Sequence, residues 1–219
     1  MKLSEFFFLK KKNNKINIIL SGGKTPLNYY KSLSKKKKNW KNVNFYLLDE
    51  RLVNIKSNFS NYKNIKKCFS RNKTALENIK PLNKNYPKSK NLKKTVTQLK
   101  KFKTIAIVGM GNDGHFASIF FKSKNFKTQI NINKKPSYFL TEKLGIPKIE
   151  RVSMNLSMLL IADIIILYLD KKKLIKLSKY LKSKKKDNYP IVYLFKHAKK
   201  KLLIHNGNKI LHLRETSLQ

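Results

Sequence analysis

Three short stretches of the chain gather residues able to do chemistry. Val108–Ser118 reads VGMGNDGHFAS and holds three of the seven glycines and one of the four histidines. Asp113 stands two residues before His115, where a carboxylate can orient or polarise an imidazole. A neutral, oriented histidine is a general base. Gly109, Gly111 and Gly114 allow backbone to come close to a ligand. In SGGKTP, Ser21–Pro26, two glycines precede Thr25-Pro26, which is a helix-start signal. A helix N-terminus favours an anion, and Ser21 and Thr25 add hydroxyl groups, so this stretch describes a phosphate cradle around Gly22 and Gly23. LLDERLV, Leu47–Val53, groups Asp49, Glu50 and Arg51. It suits a charged wall, with Arg51 on a substrate anion or a developing oxyanion.

Each stretch also has a plainer meaning. SGG can be an ordinary strand-to-helix turn, His115 can cap a turn, and the DER charges can form a surface ion pair. Gly109, Gly111 and Gly114 also fit the GxGxxG spacing of a nucleotide site. That motif comes late in the chain, and no acidic residue ends a following strand at the usual distance. The Walker A spacing is absent from SGGKTP.

The elements that must position these clusters can be read from the apolar runs. INIIL (Ile16–Leu20), VNFYLL (Val43–Leu48), TIAIVG (Thr104–Gly109), IIILYL (Ile164–Leu169) and the weaker YPIVYL (Tyr189–Leu194) read as buried strands. Helices are expected over Pro26–Leu33, Asn91–Lys101, Ser153–Leu160 and Lys172–Leu181, and Ser70–Lys90 is expected to be a surface excursion. Alternating strands and helices give an α/β class with a mainly parallel sheet. Each cluster follows or ends an expected strand. Ligands of open parallel sheets bind beyond the carboxyl ends of the strands, so the three clusters are expected to share one pocket.

Composition bounds the rest. A length of 219 residues suits one domain, expected to span 1–219, with enough apolar residues for a core. The formal net charge is +40, yet only four of the 51 basic residues are arginines. A dedicated nucleic-acid surface usually carries more arginine for bidentate contacts, so a solvated lysine coat is the favoured reading and no specific nucleic-acid partner is expected. The run Lys35–Lys38 fits such a coat. One cysteine, Cys68, excludes an internal disulfide and a multi-cysteine zinc site. The FFFL run at Phe6–Leu9 is too short for a signal core, and the longest apolar run, Leu159–Leu169, contains Asp163 and is too short to span a bilayer. A soluble cytoplasmic protein without a membrane partner is expected.

Taken in order, SGGKTP, DERLVNIKSN, GMGNDGHFASIFF and RVSMN resemble the motif series of the 6-phosphogluconolactonase family: SGG-[ST]-TP, DER with a downstream SN, GxGxDGHxASLFP, and RxT. The resemblance covers roughly Ile16 to the C-terminus. Related glucosamine-6-phosphate deaminase/isomerase enzymes continue their histidine motif as DGHIAFNEP, and their glutamate falls where this chain has Phe120. The resemblance therefore implies a lactonase rather than an isomerase. It implies a single three-layer Rossmann-like domain, with a mainly parallel sheet covered by helices on both faces. The reaction implied is hydrolysis of 6-phospho-D-glucono-1,5-lactone, without cofactor or metal, by a monomer or weak homodimer.

The same resemblance assigns roles. His115 is the base that activates water, and Asp113 supports it. Asp49 and Arg51 match the active-site pair of DER, with Arg51 on the oxyanion or the substrate. Ser21, Gly22 and Gly23 match the phosphate cradle, with Lys24, Thr25 and Gly111 counted among the binding residues. Arg151 matches the arginine of RxT, and Lys173, among Lys171–Lys173, is taken as the phosphate-side lysine. Several positions depart from the pattern: Lys24 replaces a small hydroxyl residue, Phe116 a common threonine, Phe121 the proline and Ser153 the threonine of RxT. No glycine precedes the lysines near Asp170, and only 15 residues precede INIIL, so the family's first strand and part of its first helix are expected to be absent or minimal. Arg71, His197, His205 and His212 match no functional pattern.

Overall fold

A computed structural model describes residues 15–35, 40–85, 90–206 and 210–211. The expectations for Phe6–Leu9, Lys36–Lys38 and His212 lie outside the described residues. The elements run β1 (Ile16–Leu20), α1 (Lys24–Ser34), β2 (Val43–Leu47), β3 (Asp49–Arg51), α2 (Asn61–Cys68), α3 (Lys73–Asn78), α4 (Lys90–Lys101), β4 (Lys103–Val108), α5 (Phe126–Gln129), β5 (Tyr138–Leu144), β6 (Ile149–Met154), α6 (Leu156–Leu159), β7 (Ile164–Tyr168), α7 (Lys171–Lys182), α8 (Pro190–Ala198), β8 (Leu202–His205) and β9 (Ile210–Leu211).

The main sheet has the order β2-β1-β4-β7-β8-β9. The first five strands are parallel, and β9 returns antiparallel to β8. Continuous apolar runs form its centre because these strands are covered on both faces. Ile18, Ile19 and Leu20 of β1, Ile105 to Val108 of β4 and Ile165 to Leu167 of β7 are all buried. Asn17 of β1, polar and buried, is fully paired. Its amide donates to Thr104 Oγ1 at 3.0 Å and to Gln98 O at 2.8 Å, and its oxygen accepts from Asn44 at 3.0 Å. A buried amide left unpaired would be costly, so this pairing ties β2, β1 and β4 in register.

A second, antiparallel sheet has the order β3-β6-β5. Leu48 joins the two sheets. Its N–H donates to Leu20 O at 2.8 Å in the main sheet, and its carbonyl accepts from Met154 N at 3.0 Å in the small one. Tyr138 Oη of β5 also donates to Leu47 O at 2.9 Å. Among the described residues no helix is long and apolar enough to cross a membrane.

Four of the five expected strands form, with ends within one residue of those expected. The fifth does not: Tyr189–Leu194 opens helix α8. A short buried apolar run does not distinguish strand from helix, and Pro190 at the first helical turn decides it. The helix expected over Ser153–Leu160 is also corrected. Ser153 and Met154 end β6, and only Leu156–Leu159 is helical, capped by Asn155 accepting from Met158 N at 3.0 Å. Within the stretch Ser70–Lys90, the described residues 70–85 hold more regular structure than expected. Asn72 caps α3 by accepting from Ala75 N at 3.1 Å, and Ile79 bridges to Phe45 beside β2.

Candidate active site

A cavity of about 210 Å³ lies where the three clusters meet. Its first wall is the turn after β1. Ser21 is buried, and its hydroxyl accepts from Gly109 N at 3.1 Å, which couples the ends of β1 and β4. Gly22 has no room for a side chain: a Cβ there would lie 1.9 Å from Asn61 Oδ1. The turn then enters α1, whose N-terminal N–H groups have no side-chain cap.

The second wall is β3. Alternation along a strand turns Asp49 and Arg51 to one face, toward the cavity, and Glu50 to the other. Glu50 is 4% exposed and accepts from Arg51 N at 2.6 Å, Asn61 N at 2.7 Å, Tyr62 N at 2.7 Å and Ser60 Oγ at 3.1 Å. Burial pushes its carboxyl above the usual range, against the pull of these donors. Glu50 thus holds the start of α2 against β3, which brings Asn61 into the cavity wall. Asn61 donates to Asp49 O at 2.9 Å and accepts from Arg51 Nη1 at 2.7 Å. The SN pair that serves DER is therefore Ser60-Asn61, not Ser57-Asn58. Both pairs are in the sequence, and their separation from DER does not choose between them.

The third wall carries the histidine. His115 Nδ1 lies 2.5 Å from Asp113 Oδ1, which leaves Nε2 as the ring nitrogen for the cavity. Asp113 itself is 62% exposed, so solvent screens the pair. Burial would raise the Asp113 carboxyl, but the hydrogen bond and charge of His115 outweigh it and hold it below the usual range. Gly111 is required by close approach: a Cβ there would lie 2.1 Å from His115 Cε1. Ala117 lines the cavity with φ of 51°, a left-handed conformation rare outside glycine. That turn sends Ser118 inward, where its hydroxyl donates to Asp49 Oδ2 at 2.6 Å and its N–H donates to Ser153 Oγ at 3.1 Å. From outside, Tyr180 Oη of α7 donates to Asn112 O, and Ile191 N of α8 donates to Gly114 O at 2.8 Å. Two helices thus clamp the loop that carries the histidine.

Arg51 and Arg151 are direct partners across the β3–β6 pair. Like charges so placed repel. Asp49 offsets part of that repulsion, and the Nε atoms of both arginines are buried with no hydrogen-bond partner. Arg151 is 3% exposed and its guanidinium lies 5.3 Å from the ring centroid of Phe120. Burial and the charge of Arg51 lower its pKa, while Asp49 and Asp113 raise it. Phe120 in turn lies 4.4 Å from the His115 ring. Lys173 also lines the cavity, whereas Lys171 and Lys172 are exposed and do not. Burial lowers the Lys173 pKa, against Asp170, which raises it.

Of the residues named from the sequence, Ser21, Gly22, Gly23, Asp49, Arg51, Gly111, His115, Arg151 and Lys173 line the cavity. Asp113 reaches it through His115. Lys24 and Thr25 do not line it: Lys24 is exposed, and Thr25 Oγ1 donates to Asp170 at 3.5 Å. Asn61, Ser118 and Ile146 were not singled out. Ser118 lies inside the quoted motif. Asn61 and Ile146 carry no local chemical signal and reach the site through tertiary contacts. Among the described residues no group of three or more His, Cys, Asp or Glu side chains could hold a metal ion.

Known proteins resemble this chain in sequence and fold. The family model described as glucosamine-6-phosphate isomerases/6-phosphogluconolactonase matches residues 8–204. A 6-phosphogluconolactonase of Thermotoga maritima is 35% identical over 151 residues, 67% of this chain and 66% of the relative. One of Neisseria meningitidis is 33% identical over 144 residues, 64% of this chain and 62% of the relative. The matched part thus spans slightly less than two thirds of either relative's length. The crystal structure of the Thermotoga maritima 6-phosphogluconolactonase superposes with a TM-score of 0.66 at 32% identity, covering 83% of this chain and 81% of that one. The chain belongs to the glucosamine-6-phosphate isomerase/6-phosphogluconolactonase family.

Proposed function

We propose that the protein hydrolyses 6-phospho-D-glucono-1,5-lactone to 6-phosphogluconate. The observation that carries this reading is the meeting, in one cavity, of a tethered histidine and two arginines with unpartnered buried Nε atoms. A δ-lactone is an activated ester, so a base and an electrostatic partner suffice. His115 Nε2 takes a proton from water as the water oxygen bonds to the lactone carbonyl carbon. The carbonyl oxygen becomes an oxyanion, which Arg51 stabilises. Collapse of that intermediate breaks the bond to the ring oxygen, which leaves as the sugar hydroxyl after taking the proton from His115. The new carboxyl group then loses its proton to solvent. Asp113 orients the ring through Nδ1 and stabilises the imidazolium formed on the way. Arg151, Lys173 and the N–H groups of the Gly22-Gly23 turn hold the phosphate. Asp49 holds Asn61, Ser118 and the arginines in place. The reading includes a cytoplasmic enzyme, monomeric or weakly dimeric, whose lysine coat has no specific nucleic-acid partner.

Phe120 favours this activity over the deaminase and isomerase chemistry of the same family. It is 3% exposed and stands at the motif position where the related sequences have a glutamate. The test is hydrolysis of the lactone by purified protein against the spontaneous background, with formation of 6-phosphogluconate followed by its dehydrogenase. His115→Ala is expected to lower kcat by about 10²–10⁴-fold, the range for loss of a general base. A folded wild-type protein at background rate, or one that converts glucosamine 6-phosphate instead, would overturn the reading.

A further inference from the structure

The apolar side chains of the cavity are not alike. Pro26, Met110 and Ala117 are buried in the protein, whereas Ile146 lines the same cavity and is 96% exposed. It sits on the turn between β5 and β6, in the sequence Leu144-Gly145-Ile146-Pro147. The turn is held from below. Arg151 Nη2 donates to Pro147 O at 3.3 Å, and Gly145, at φ of 78°, packs so closely that a Cβ there would lie 2.8 Å from Arg151 Nη2 and 2.9 Å from Phe120 Cζ. The backbone at Ile146 is thus pinned to two residues of the site, while its side chain is left almost wholly to water. The rest of the cavity sets charged and hydrogen-bonding groups such as Arg51, His115, Arg151 and Lys173 among those three buried apolar side chains.

We propose that Ile146 packs on the sugar ring of the bound substrate and sets affinity for the sugar part rather than for the phosphate; this rests on the lactonase reading above. In the gluco configuration the ring hydroxyls point outward around the ring and the C–H bonds point to its faces. Such a face is apolar and matches an aliphatic side chain at the mouth of a polar site. The contact forms equally in the ground state and the transition state, so it acts on KM and not on kcat.

The test compares wild type with Ile146→Ala and Ile146→Val. Ile146→Ala is expected to raise KM for the lactone by about 3- to 10-fold, the ratio for covering roughly half of an isoleucine side chain. Its kcat and melting temperature are expected to stay those of wild type, because the side chain packs on nothing in the free protein. Ile146→Val is expected to recover most of the affinity. The second measurement is calorimetric binding of glucose 6-phosphate, which keeps a closed ring of gluco configuration, and of inorganic phosphate: the first weakens in Ile146→Ala and the second does not. Unchanged KM and unchanged glucose 6-phosphate affinity would overturn the proposal. So would equal weakening for both ligands, which would mean that the turn acts through Arg151 on the phosphate. If wild type fails to hydrolyse the lactone, the lactonase reading falls, and the calorimetric pair still decides whether Ile146 contacts a phosphosugar.

Discussion

Lys173, in the cavity wall, holds its charge in partly buried surroundings, and that has a functional consequence. Burial lowers its pKa from the ordinary lysine value, so the ammonium loses its proton at a lower pH than a free side chain does. If it holds the phosphate, affinity is fully present below that lowered value and declines as pH rises through it, before the usual value of about 10.4 is reached. Binding of 6-phosphogluconate, measured by calorimetry from pH 7 to 10, is expected to weaken toward the alkaline end in wild type. Lys173→Arg is expected to remove that decline, because a guanidinium stays charged throughout. A decline of equal size in both proteins would assign the alkaline loss to another group. At this scale the sequence was informative where chemistry is local. Asp113 and His115 are two residues apart and meet directly, and the Lys173 choice among three adjacent lysines agrees with the side chain that faces the cavity. Asn61 was not legible, because its role depends on how α2 docks against β3, and an identical SN dipeptide lies just before it.

At the scale of elements, Glu50 does the docking. It accepts four hydrogen bonds and does not line the active-site cavity, so its effect on activity runs through Asn61 and Arg51. Glu50→Gln replaces one acceptor oxygen by an amide donor and leaves buried N–H or O–H groups unpaired. Each such group costs about 1–3 kcal/mol. Urea unfolding is expected to show a loss in that range or somewhat more, accompanied by a raised KM. Stability equal to wild type would mean that α2 is held by its apolar face alone. Four of the parallel strands, β1, β2, β4 and β7, were legible because each is a mainly apolar run followed at once, or after one serine, by a glycine or a charge. The small antiparallel sheet was not. Ser153-Met154 reads as the start of a helix until the pairing of RVSM with DER is known, and YFLTEKL alternates weakly. Tyr189–Leu194 shows the converse, where a proline outweighs β-branched composition. The fifth parallel strand, the four-residue β8, follows three lysines and carries too few residues for a periodic signal.

The whole molecule carries +40 charges and brings three sequence-distant clusters to the carboxyl edge of one sheet. A field of one sign attracts a phosphorylated substrate and is screened by salt within about 8 Å at physiological ionic strength. For the lactone, kcat/KM is expected to fall several-fold between about 20 mM and 500 mM sodium chloride, mostly through KM. A flat profile would mean that the lysines are too dispersed to steer. The convergence of the clusters followed from a rule of open sheets, whereas the second sheet, which supplies both arginines, had no counterpart in the expected architecture.

That division gives the ligand a mechanical part to play. The cradle belongs to the large sheet and the arginines to the small one, and Leu48 is a backbone junction between them. A phosphosugar gripped from both sides becomes a removable cross-tie spanning the seam. Amide hydrogens of β3, β5 and β6 should then exchange more slowly once 6-phosphogluconate is bound, while those of β1 and β4 change little. The occupied protein would open as one body, and the empty one would loosen first along the seam.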